Sequence, residues 1–86
     1  MGGVESLLRD ALVLEELNKQ TGTYVSFQSL LTAVKSSPPL LTRSVAKLQD
    51  YGYVERGEQG TKITEKGQEA LANKYSRIKK LVEQNQ

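Results

Sequence analysis

The sequence predicts a mainly α-helical fold with one small β-hairpin, an α+β chain forming a single domain over residues 1–86. Three observations carry this expectation. Apolar residues recur at three- and four-residue spacing in four separate stretches, the mark of helices with a buried face. Residues 53–64 instead alternate with a period of two on either side of Gly57-Glu58-Gln59-Gly60, which is hairpin chemistry. Finally, 86 residues with 37% hydrophobic content support one modest core, with no internal repeat and no linker to divide it.

The first helix is expected from Val4 to about Gln20. Its apolar positions are Val4, Leu7, Leu8, Ala11, Leu12, Leu14 and Leu17, and Thr21-Gly22 ends the run. Val13 and Leu14 widen the apolar arc, so the helix is expected to meet both the core and a second subunit. Thr23-Tyr24-Val25 is β-prone and long enough to add one short strand to a small sheet. Ser26 then reads as an N-cap, opening a helix whose buried face is Phe27, Leu30, Leu31 and Val34.

A tight Ser36-Ser37-Pro38-Pro39 connection leads into the third helix. Ser37 is placed to cap it, and proline is tolerated in a first turn, where its missing N–H had no intrahelical partner. Leu41, Val45 and Leu48 define the buried stripe; Thr42, Arg43, Ala46 and Lys47 lie off it, and Gly52 supplies the left-handed stop. After the hairpin, Thr64 is expected to cap a last helix running from Glu65 towards Val82. Its stripe is Ala70/Leu71, Tyr75, Ile78, Leu81 and Val82, with Lys74 beside Tyr75. At 1.5 Å per residue such a helix spans about 27–30 Å, longer than so small a domain.

Composition removes several kinds of chemistry. The chain has neither cysteine nor histidine, so disulfides, thiolate or imidazole metal sites and Ser-His or Cys-His nucleophiles lack their residues. No catalytic site, metal or cofactor is therefore expected, and an enzyme is not the reading. No apolar run approaches a membrane span and no leader pattern opens the chain, so no membrane partner and a cytoplasmic setting (intracellular, nucleoid or host cytoplasm) are expected. The formal net charge of +2 is split unevenly: residues 1–34 carry a net −2 and residues 35–86 a net +4. The second part thus leans towards a polyanionic partner.

Two short helices joined by a tight turn (about 26–52), followed at once by a glycine-tipped hairpin (about 53–64) and a long helix (about 65–84), read as a winged helix-turn-helix. The segment SFQSLLTAVKSSPPLLTRSVAKLQDYGYVER resembles the core of MarR-type and related small winged-helix transcriptional regulators. The matching residues are Ser26, the Leu41-Thr42-Arg43 triplet, and the run from Leu48 through Gly52 and Val54 to Arg56. Ile63-Thr64-Glu65-Lys66-Gly67 resembles the segment after the wing in MarR and PadR relatives. The resemblance spans residues 26–71, and the small size is similar to that of compact archaeal and archaeal-virus winged-helix proteins. The wing tip, Gly57 to Gly60, is shorter than in typical MarR proteins.

The expected function is sequence-specific binding of double-stranded DNA as a homodimeric transcriptional regulator, with helix 38–51 in the major groove. Arg43 is placed to read guanine or hold a phosphate, and Lys47, one turn on, to hold a phosphate. Thr42 and Ser37 can donate to bases or phosphates. Ser26 and Gln28, at the start of the second helix, can take a phosphate on backbone amides. Arg56 and Lys62 flank the wing. Self-association is expected through Leu71, Tyr75, Ile78 and Val82 of the last helix, with Leu7 and Leu14 of the first. The alternative is a winged-helix protein–protein interaction module of the transcription machinery without specific DNA reading.

Overall fold

The structure, a computed structural model, describes residues 3–78 and 80. The described residues form four α-helices and one antiparallel hairpin: α1 (Gly3–Lys19), α2 (Phe27–Val34), α3 (Pro38–Asp50), β1 (Val54–Gly57), β2 (Gly60–Ile63) and α4 (Glu65–Ala70). The chain is mainly helical with a two-stranded sheet, as the periodicities predict. Helix α4 runs without a break into a π-turn, Leu71–Tyr75, and then back into α-helix. No helix of the described residues is long and apolar enough to cross a membrane.

The core is organised around α1. Ala11, Val13, Leu14 and Leu17 are all 0% exposed, because α2, α3, β2, α4 and the π-turn all pack against this helix. This corrects the expectation that the wide apolar arc of α1 serves a second subunit. One chain supplies enough neighbours to cover Val13 and Leu14 together. Leu30 and Val34 of α2, Leu41, Val45 and Leu48 of α3, and Val54 and Ile63 of the hairpin complete the same cluster. Phe27, expected on the buried face of α2, is instead 38% exposed. As the first residue of its helix it lies at the edge of the core.

The ends of α2 and α3 follow local chemistry. Ser26 accepts the Ser29 amide at 3.2 Å, and α2 stops at Lys35, which takes a left-handed φ of 58°. Ser37 is extended at φ −72°, ψ 151° but makes no side-chain cap. Its extended backbone is the one favoured before proline, and Pro39 at the second helical position removes one of the two amides an N-cap hydroxyl can accept from. At the other end of α3 the Gly52 amide donates to Gln49 O (2.9 Å) and the Tyr53 amide to Leu48 O (2.9 Å). With Gly52 at φ +82°, this is the paired-bond glycine stop that the sequence predicts.

The hairpin pairs Val54 with Ile63, Glu55 with Lys62, Arg56 with Thr61 and Gly57 with Gly60. Val25 joins its outer edge by one bridge, donating to Thr61 O at 2.7 Å and accepting the Thr61 amide at 3.0 Å. The β-prone segment at 23–25 is thus reduced to a single paired residue. Gly60 has to be glycine there, since a Cβ would lie 2.2 Å from Val25 O.

The π-turn has a sequence cause. An uninterrupted α-helix through Gly67 and Ala70, both buried, would bring Lys74 onto the buried line four residues on. The wider turn delays that line by one residue, so the buried position is Tyr75, 0% exposed, and Lys74 stays outside. The Lys74 ammonium then lies 5.3 Å from the ring centres of Tyr51 and Tyr75 and 5.9 Å from that of Tyr53.

Candidate nucleic-acid interface

At about 100° per residue, the residues of α3 fall into three sectors. The buried sector holds Leu41, Ser44, Val45 and Leu48. Opposite it, Pro39, Arg43 and Asp50 are exposed and Ala46 half-exposed. Thr42 and Gln49 lie to the hairpin side of this outward face, and Leu40 and Lys47 to the α1 side. Arg43 makes no ion pair among the described residues. Ser37, whose hydroxyl caps nothing, lies at the start of the helix.

Lys47 does not stand free beside Arg43. Its ammonium lies 2.7 Å from Asp10 Oδ2 and donates to Ser6 Oγ at 2.9 Å. Asp10 is 1% exposed, and its other oxygen accepts from Ser44 Oγ at 2.5 Å. A polar network thus ties α3 to α1 at the flank of the helix. The expectation of Lys47 as an open phosphate contact is corrected accordingly: a buried carboxylate needs a compensating charge, and Lys47 is the cation that reaches it.

Period-two geometry sorts the two hairpin cations onto opposite faces. Arg56 shares the face of Val54, Thr61 and Ile63 but projects beyond the core near the tip. There it lines a cleft of about 280 Å³ with Ser26, Phe27 and Val45. Arg56 is exposed and makes no ion pair among the described residues. Lys62 points the other way. It pairs with Glu55 at 3.4 Å, lies 4.9 Å from the centre of the Tyr24 ring, and Tyr24 Oη donates to the same Glu55 oxygen at 3.0 Å. Lys62 therefore belongs to a cross-strand cluster on the side away from α3, a correction to its pairing with Arg56 in one interface.

Of the expected contact residues, Ser26 and Gln28 at the start of α2, Thr42 and Arg43 on α3, and Arg56 on β1 are exposed, and Ser26 and Arg56 line one cleft. Ser26 is committed to capping through its contacts with Ser29, which leaves the first amides of α2 as the polar group that segment offers. Phe27, beside Arg56, is a surface residue that apolar periodicity assigns to the core. Its place directly after the N-cap is the signal that it begins the helix before the core does.

The expected self-association residues divide. Leu14 and Tyr75 are 0% exposed within the chain's own core and cannot line an interface. Leu7, Leu71 and Ile78 are half-buried against that core, and Val82 lies outside the described residues. The apolar stripe of the last helix packs on the chain's own core as far as Ile78, with Leu71 and Ile78 only half covered, and Leu81, where the overhang is expected, also lies outside the described residues. Tyr75 Oη has no hydrogen-bond partner among the described residues, and burial, with Asp10 and the Tyr53 and Tyr51 hydroxyls nearby, pushes its pKa up from 10.0 to about 12. Comparison with protein-family models, curated proteins and solved structures returns no match.

Proposed function

We propose that the chain binds double-stranded DNA as a winged-helix transcriptional regulator, with the outward face of α3 in the major groove. The observation that carries this reading is Arg43, exposed and without an ion pair among the described residues at the centre of that face, with Thr42 beside it. Arg56 and the first amides of α2 supply flanking phosphate contacts on the hairpin side. Asp50, at the far end of the same face, opposes a phosphate and so limits contact to the first two turns of α3. Pairing of two copies through Leu7, Leu71 and Ile78 would present two such helices to a two-fold site with half-sites about 34–36 Å apart.

Selection of bound duplexes from a random pool, followed by titration at several salt concentrations, tests this. Arg43→Ala is expected to relax base preference at one position at a cost of about 1–3 kcal/mol, and Arg56→Ala to weaken all duplexes alike while lowering the salt slope by about one. If neither change alters binding to the selected duplex, the major-groove assignment fails. A second reading, a protein-interaction module, draws support from the engagement of Lys47 and Lys62 within the chain, which takes two of the expected DNA-contacting cations out of the interface.

A further inference from the structure

A groove runs along one side of α1, against the turn between α2 and α3. Two adjoining clefts of about 290 and 410 Å³ form it, sharing Glu5, Arg9 and Leu40. Leu8 and Leu12, one turn apart on α1, floor the first cleft together with Val34. Leu40 walls both and is 38% exposed, one of three large hydrophobic side chains the described chain leaves this open. Lys35 lines the first cleft, Arg43 the second, and Arg9 both, where they adjoin. None of these three cations is in an ion pair among the described residues, whereas the charge of Lys47 is met by Asp10. The acid lining the groove is Glu5.

We infer that this groove docks an acidic, amphipathic helical segment of a partner protein. Charge complementarity selects the occupant: three free cations around an apolar floor match leucine-class residues at i and i+4 with carboxylates on both flanks. A phosphate backbone has no apolar surface to cover Leu8, Leu12 and Leu40. A small ligand would be poorly buried in the first cleft, where the apolar floor lies, because that cleft is the more open of the two. The inference stands apart from the DNA reading, since its floor and two of its three cations lie off the outward face of α3.

The test uses the whole chain and a fluorescent synthetic peptide of about 15 residues, long enough to sample helix, with leucines at i, i+4 and i+7 flanked by glutamates. Anisotropy is read against a scrambled peptide of the same composition and one with glutamine for every glutamate. Saturable binding is expected for the designed peptide, with both controls at least about tenfold weaker. Leu40→Ser, an exposed position that need not disturb the core, is expected to weaken it about tenfold, the scale of one lost leucine contact. Arg9→Ala with Lys35→Ala should weaken it further at low salt, and Lys19→Ala, at the far end of α1, should leave it unchanged. Equal binding of the scrambled peptide, no saturable binding, or indifference to Leu40→Ser overturns the inference. Loss of duplex binding rather than peptide binding in Leu40→Ser overturns it in favour of nucleic acid.

Discussion

Replacing Lys47 with methionine separates its structural role from a role on DNA. The ammonium sits 2.7 Å from Asp10 Oδ2, a gross attraction of about 6 kcal/mol at an effective dielectric of about 20. Desolvation of Asp10, at 1% exposure, consumes much of this, while the Lys47 side chain remains 34% exposed and so retains part of its hydration. Removing the lysine leaves a buried, uncompensated carboxylate held only by the Ser44 hydroxyl's hydrogen bond. Breaking a buried pair in this way costs about 3–5 kcal/mol, and the partial exposure here lowers that to about 2–3 kcal/mol. Asp10→Asn should cost only about 1 kcal/mol, because solvent can reach the lysine it strands and the new amide oxygen keeps a partner for Ser44. The double variant should recover most of the loss. Urea denaturation of the four proteins, analysed as a cycle, reads all three values. The reasoning is refuted if Lys47→Met costs less than Asp10→Asn, or if the double variant is no more stable than Lys47→Met alone. A DNA-contacting Lys47 would instead show near-native stability with a reduced salt slope.

Two further perturbations probe the packing that places α3. The raised pKa of Tyr75 means that the folded state holds its proton more tightly than the unfolded state. The associated stability is fully present below pH 10 and falls as pH rises towards about 12, by about 2–3 kcal/mol in total. Tyr75→Phe should remove this alkaline loss while changing stability at pH 7 by no more than about 1 kcal/mol, as denaturant melts across that pH range would show. Gly67→Ala inverts the usual rule for helices. Alanine is normally favoured over glycine by about 1 kcal/mol, yet here its Cβ would fall 2.1 Å from Tyr53 O and 2.8 Å from Ile63 Cγ1. A loss of at least about 2 kcal/mol is therefore expected on thermal or urea unfolding, and any gain in stability would contradict the close approach of α4 to the hairpin.

Sequence periodicity locates the elements because it reports one thing well, which face of a segment is apolar. The glycine stop at Gly52, the cap at Thr64, which accepts the Gly67 amide at 3.1 Å, and the hairpin all obey local rules that the residues carry by themselves. The number of neighbours each face meets is not local. The arc of α1 has the same width whether a second subunit or several elements of its own chain cover it, and the structure supplies the elements. The π-turn lies in the same blind spot, although Lys74 at the fourth position after Ala70 is its signal. Pairing is less legible still. Lys47 and Asp10 are far apart in the chain, and nothing in the spacing of either helix announces that the one neutralises the other.

That pairing bears directly on what α3 can present. A helix at a molecular surface has to commit one flank to docking, and α3 does so with polar groups, Ser44 and Lys47, where leucines would have served for packing alone. A buried ionic contact adds little net stability compared with apolar side chains, but an ion pair with two hydroxyl partners tolerates few alternative positions. The rotation of α3 about its own axis is fixed by Asp10 on one flank and by Val45 against the hairpin cleft on the other. A rotation of one residue's worth, about 100°, would bring a neighbouring residue such as Ser44 to the place Arg43 now holds. If the network sets that rotation, Asp10→Asn should leave the fold standing while loosening the partner preference read through Arg43. Loss of stability with unchanged preference would instead confine the network to packing.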